Sequence, residues 1–202
     1  MEHEEQSSHL MDVIVDQADN ESVTTIKYWP VCEDWQKSKC QMLGMKFVRG
    51  NISHVPEPCE FSTFHQPAVT GRILGDGNCF FRALAHVVTG SQEDHYELRV
   101  ITTSYMQHNA EDLSCYLEAN DCMEDYLVRS DMQSPSVWAT ELELFAAAYM
   151  LATPIFVFSK CGHSYKWLQF SPVSEDISAT EHSKEAIFLF NISNHYETVR
   201  RM

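Results

Sequence analysis

Gly75-Asp76-Gly77-Asn78-Cys79-Phe80-Phe81-Arg82-Ala83-Leu84 is the stretch from which the rest of the chain is read. Gly75, Asp76 and Gly77 favour a turn, and beyond it Phe81, Leu84 and Val88 fall at i, i+3 and i+7, the spacing of one buried helical face. Gly90 then ends the predicted helix. A thiol is thereby set where a glycine-rich loop enters a helix, among free backbone N–H groups and a partial positive charge that favour a thiolate. Gly75 and Gly77 can adopt φ > 0 and aim loop N–H groups at an oxyanion. The plainer alternative is a buried structural cysteine behind a common turn.

A thiolate nucleophile needs a partner that takes and returns a proton near neutral pH, which histidine does best. Of ten histidines, His195 stands out because it follows an apolar run, residues 186–192, after the two-residue turn Ser193-Asn194. If residues 196–199 are extended, Glu197 lies on the same side as His195 and can orient the imidazole, because strand side chains alternate.

Further out, residues 1–22 are acidic and polar, with one short apolar run at 10–15, and are expected to form a flexible arm. Residues 23–68 form an N-terminal extension in which Trp35, Cys40 and Leu43 mark a short helix. There Pro56, Pro58 and Pro67 mark a linker or extended connection. Residues 69–202 form the catalytic domain. Within it a second helix is expected from Ser91, with Asp94 three residues on, through Tyr96, Val100 and Tyr105. Shorter pieces are expected at 110–119 and 122–128. Trp138, Leu142, Phe145 and Tyr149 recur at helical spacing, and Thr140 with Glu143 has the spacing of a capping box. Strands are expected at 154–158, 165–170 and 186–192, the last, apolar throughout, at the centre of a sheet. Helices followed by strands predict an α+β domain with a central sheet flanked by helices.

A chain of 202 residues, 44% hydrophobic and 11% aromatic, has the size and composition of one globular domain with an arm. No apolar run approaches the roughly 20 residues that span a bilayer. The start MEHEEQSS lacks the basic and apolar regions of a secretory signal, so an intracellular, cytoplasmic site is expected. Seven cysteines without a CxxC pair suit a reducing compartment, and the sequons at Asn20, Asn51 and Asn191 are then chance matches. With 14 Lys+Arg against 29 Asp+Glu, a formal charge of −15 argues against nucleic acid as a partner. Cys161-Gly162-His163 reads as a hairpin loop, since no second Cys/His pair lies at zinc spacing beside it. No metal and no cofactor are expected.

Three blocks together resemble the OTU (ovarian tumour) cysteine proteases. Residues 76–84 are similar to the Asp-Gly-Asn-Cys-apolar-Phe-Arg signature. Trp138-Ala139-Thr140-Glu141-Leu142-Glu143 resembles the family's Trp-Gly-Thr-Glu segment, with alanine for glycine. Asn194-His195-Tyr196-Glu197 resembles its closing His-Tyr motif. The resemblance spans residues 71–199. It implies a papain-type α+β fold and a monomeric deubiquitinase. In that enzyme Cys79 attacks an isopeptide bond at the C-terminus of ubiquitin, of polyubiquitin or of a ubiquitin-like modifier. His195 serves as general base and then general acid. Asp76, Gly77 and Asn78 shape the oxyanion loop. The family's third member, Asp or Asn two residues after the histidine, is Glu197 here, one methylene longer, with Asn194 or a polar residue from another strand the alternative orienter. Two competing readings are a ubiquitin-binding module of the same fold with little or no activity, and a redox sensor using Cys79.

Overall fold

In the computed structural model, residues 24–49, 57–118, 121–171 and 185–202 are described. The expected flexible arm, its apolar run at 10–15 and most of the polar stretch before the last apolar run lie outside them. Strand β1 (Thr25–Tyr28), helix α1 (Glu33–Leu43) and strand β2 (Cys59–Ser62) come first, followed by β3 (Val69–Gly71) and helix α2 (Cys79–Val88). Helix α3 (His95–His108), the short α4 (Ala110–Leu113), α5 (Met123–Ser130) and α6 (Glu141–Leu151) come next. Strands β4 (Ile155–Cys161), β5 (Ser164–Phe170), β6 (Ile187–Ile192) and β7 (His195–Arg201) complete the chain.

The last four strands and β3 form one sheet in the order β3-β7-β6-β4-β5, in which only β4 and β6 run parallel. The IFLFNI strand β6 is central, as its lack of alternation predicts for a strand covered on both faces. Its residues divide between two cores: Ile187 and Leu189 face Leu84, Val88, Leu98 and Leu151 of the helices, whereas Phe188 and Phe190 face Tyr28, Phe61, Phe158 and Trp167. The antiparallel pair β1-β2 covers that second face, and Trp167 N–H donates to the Thr63 carbonyl. Helix α1 docks beside α2, Trp35 Nε1 donating to Thr153 Oγ1 and Gln36 Nε2 to the Val87 carbonyl. The extension thus contributes large side chains to both cores.

Helix α2 is the pivot. All but two of its residues are buried, so it is apolar around nearly its whole circumference and packs on α3 and on β7. The Thr140–Glu143 capping box is present at α6, and Cys79–Val88 is helical as its spacing predicts.

Several expectations need correction. Ser91 caps a 3-10 turn at Gln92–Asp94, and α3 proper starts at His95. The face traced through Tyr96 and Val100 is exposed. The buried one holds Leu98, Arg99, Thr102, Thr103 and Met106, and its polar members hide it from a pattern of apolar spacing. The threonines are satisfied within the helix, Oγ1 of each donating to a carbonyl four residues back. Trp138 precedes α6 and is 60% exposed, outside the helix its spacing suggested.

Candidate active site

Cys79 is the first residue of α2 and, at 8% exposed, lies at the edge of the first core. Its Sγ is 3.7 Å from the carbonyl oxygen of Asn194. Ser193 and Asn194 have φ of 51° and 62°, the left-handed pair of a two-residue hairpin turn, so β6 reverses into β7 directly over the start of α2. His195 opens β7. A methyl group added at Gly75 would meet the His195 imidazole at 3.5 Å (Cε1) and 3.6 Å (Nδ1), so the Nδ1 edge of the ring lies against the loop that carries Cys79. Tyr196, on the opposite side of the strand, packs edge-on against Phe80 and ties β7 to α2.

The loop before Cys79 is held from both ends. Asp76 accepts from the Asn78 N–H (3.1 Å) and from Arg82 Nε (3.0 Å) and Nη2 (2.7 Å) one turn into the helix. The guanidinium, more than any other group, keeps the Asp76 carboxyl well below the usual carboxylate range. Gly77 has φ of 82°, and a Cβ there would sit 2.6 Å from the Ser136 carbonyl, so only glycine lets the two loops touch. Asn78 occupies the N-cap position of α2 without capping it. Its Oδ1 accepts instead from the Ser136 N–H (2.7 Å) and from Arg99 Nη2 (3.0 Å). The first N–H groups of α2 are therefore left without that side-chain acceptor, in position to favour negative charge at the thiol or at an oxygen beside it.

Glu197 pairs across the sheet with Phe190 and stands two residues beyond His195, half-buried, while its Oε2 accepts a hydrogen bond from Thr70 Oγ1 of β3. Sequence reading named Cys79, His195, Asp76, Gly77, Asn78 and Glu197, and the fold gathers these residues at the junction of α2 with β7 and β3. Thr70, Arg99 and Ser136 were missed. Arg82 lay inside the recognised block, but the other three reach the site across 127, 21 and 58 residues of chain, and no local pattern announces such contacts. Cys161 pairs with Ser164 across a two-residue turn, so Cys161-Gly162-His163 lies at the tip of the β4-β5 hairpin.

A thiol at a helix N-terminus, with a histidine at the start of a strand lying on the same glycine-bearing loop, is the arrangement expected of a cysteine protease. Residues 74–196 match the family model for OTU-like cysteine proteases, and the chain belongs to that family. Human OTU domain-containing protein 4 is 27% identical over 127 residues, which are 63% of this chain and 10% of that protein. The Arabidopsis thaliana OVARIAN TUMOR DOMAIN-containing deubiquitinating enzyme 7 is 31% identical over 86 residues, 43% of this chain and 22% of that enzyme. The chain thus matches less than a quarter of either relative's length. Among solved structures, the OTU domain of OTUD1 superposes with a TM-score of 0.51 at 26% identity, over 64% of this chain and 83% of that domain. The fold is the α+β OTU fold. No helix among the described residues is long and apolar enough to cross a membrane.

Proposed function

We propose that this chain is a deubiquitinase, cleaving isopeptide bonds at the C-terminus of ubiquitin with Cys79 as nucleophile and His195 as general base. The observation that carries the reading is the seating of the Cys79 thiol against the Asn194 carbonyl at the residue before His195, with the imidazole lying on Gly75 of the nucleophile's own loop. The deubiquitinating relative adds the identity of the modifier. His195 takes the thiol proton as Sγ attacks the carbonyl carbon of ubiquitin's last residue. The oxyanion that develops is met by the N–H groups of Gly77 and Cys79, that of Asn78 being held by Asp76. Collapse breaks the C–N bond, and His195 passes the proton to the leaving lysine amine. Water, deprotonated by His195, then attacks the thioester and releases a carboxylate and the free thiol.

Glu197 orients His195 in this scheme: with Oε2 taken up by Thr70, Oε1 is left for the imidazole. The same engagement with Thr70 favours one second reading, a ubiquitin-binding module that binds without efficient cleavage because its histidine is weakly held.

The test is to incubate the protein, and its Cys79→Ala variant, with ubiquitin bearing an electrophile at its C-terminus and to follow intact mass. An adduct that requires Cys79 is expected. A folded protein that forms none but binds the same ubiquitin in a titration would establish the second reading and overturn the first.

A further inference from the structure

The most unusual buried group outside the nucleophile and its base is the guanidinium of Arg99. It lies on α3 and is fully buried, a burial that a charged arginine meets almost only when paired. Its Nη1 donates to the Met132 carbonyl (2.9 Å), and its Nη2 to the Val137 carbonyl (2.8 Å) and to Asn78 Oδ1 (3.0 Å). The plane lies over Phe81, with Cζ 4.2 Å from the ring centroid. Nε has no partner among the described residues, so the fork is spent on two backbone carbonyls, Asn78 Oδ1 and the Met132 sulfur and not on a carboxylate. The carboxylates that favour its charge, Glu143 and Asp76, act without a hydrogen bond to it.

The chosen acceptor is informative. Asparagine is among the best N-cap residues because its side-chain oxygen bonds the free N–H groups of the helix it precedes. Asn78 holds that position at α2 and does not cap it. Its oxygen is drawn away by Arg99 and by the Ser136 N–H, which the arginine also fixes through its bonds to the carbonyls of Met132 and Val137 on either side. We propose that Arg99 is a positioning residue that prevents Asn78 from capping the catalytic helix, keeping the N–H groups at the Cys79 end of α2 open to the thiolate and to the reaction oxyanion. The inference rests on the reading of Cys79 as nucleophile. Arg99 touches neither substrate nor thiol. It acts through Asn78, and it locks the loop holding Ser136 onto Gly77, where only a Cβ-less residue fits.

Arg99 and Ser136 hold Asn78 at φ −105°, ψ 12°, away from the extended backbone of a capping residue. Without Arg99 the loop can relax to that backbone and bring the Asn78 oxygen onto the helix N-terminus, where it neutralises the partial charge that the site uses. Arg99→Met keeps the stem and its packing on Phe81 and removes the fork. In this variant the pH profile of Cys79 alkylation by iodoacetamide, followed by peptide mass so that the exposed cysteines do not interfere, should move to higher pH. The rate at high pH, where the thiolate is fully formed, should stay within about twofold. With ubiquitin conjugates kcat should fall about a hundredfold with little change in KM, the scale of one lost oxyanion donor. Adding Asn78→Ala to Arg99→Met removes the intruding oxygen and should return the alkylation profile to the wild-type position. A merely structural arginine would lower the melting temperature in both variants and leave the profile where it was.

If Arg99→Met does not fold, Arg99→Lys, which keeps the buried charge but cannot reach three acceptors, should show the same shift with a smaller amplitude. A folded variant of either kind with an unmoved profile and wild-type kcat overturns the inference. The alkylation arm uses no ubiquitin, so its failure is separate from a failure of the wild type to react with the ubiquitin electrophile, which would overturn the deubiquitinase reading alone.

Discussion

The two sides of the active site are built differently. On the nucleophile's side, Asp76, Asn78, Arg82, Arg99 and the backbone of Ser136 form a continuous set of charge-assisted and backbone hydrogen bonds, anchored on two buried guanidinium groups. On the base's side, His195 is placed by a two-residue turn with both residues at positive φ and by the packing of its neighbour Tyr196, while Glu197, two residues on, is tied by one hydrogen bond to an edge strand three residues long. Several charge-assisted bonds anchored on buried guanidinium groups resist displacement, because breaking one leaves a desolvated charge, whereas a single bond at a sheet edge is more readily replaced by water. The loop that would meet the oxyanion in the proposed reaction is thus the more firmly held of the two sides.

If that contrast is right, changes to the chemistry itself cost most, changes to the rigid side come next, and changes to the soft side cost least. Cys79→Ala should leave no measurable turnover in a chain that still folds, since only one sulfur atom at the start of α2 is lost. His195→Ala should lower kcat by about a thousandfold. Equal turnover by either variant and the wild type in a ubiquitin-chain cleavage assay would end the assignment.

Asp76→Asn tests the rigid side. It loosens the Arg82 fork, and kcat should fall about tenfold or more, because a displacement of about 1 Å at a positioned group can cost a hundredfold. It also carries a pH signature. The Asp76 carboxyl is held below its ordinary value of 3.8 in the folded chain, chiefly by Arg82. Its contribution to stability is therefore complete above the unfolded value and is lost as pH falls through the folded one. The gap in melting temperature between wild type and Asp76→Asn should stay constant from neutral pH down to about 3.8, and close only below it. A gap that closes at higher pH would show that the loop is not held by this ion pair.

The same contrast explains what was legible in the sequence. The glycine-flanked block, the helix it opens, the capping box of α6 and the central strand are local patterns of turn chemistry and apolar period, and all were readable, as was the likeness to OTU proteases. The strands β1 and β3 were not: they are four and three residues long, and they exist because partners distant in sequence supply their hydrogen bonds. The buried face of α3 escaped because Arg99, Thr102 and Thr103 are interior for reasons of hydrogen bonding, which apolar periodicity does not see. Glu197 was found by alternation along a strand, but Thr70, which accounts for its position, is a product of β3 pairing with β7.

The smallest expected effect lies on that last contact, and it bears most directly on how the base is held. Glu197→Ala should lower kcat by about tenfold, less than His195→Ala, because it removes an orienting group and leaves the proton acceptor in place. Thr70→Val, nearly isosteric, removes only the donor to Oε2. If Thr70 holds Glu197 for the imidazole, Thr70→Val should lower kcat by about two- to fivefold, the worth of one ordinary hydrogen bond. The loss should vanish when Thr70→Val is made in the Glu197→Ala background, since contacting residues that act as one unit are not additive. A loss of the same size in both backgrounds would mean that Thr70 serves the sheet edge and not the base. His195 would then depend on the Ser193-Asn194 turn and the packing of Tyr196 on Phe80, and the two sides of the site would differ more than the hydrogen bonds suggest.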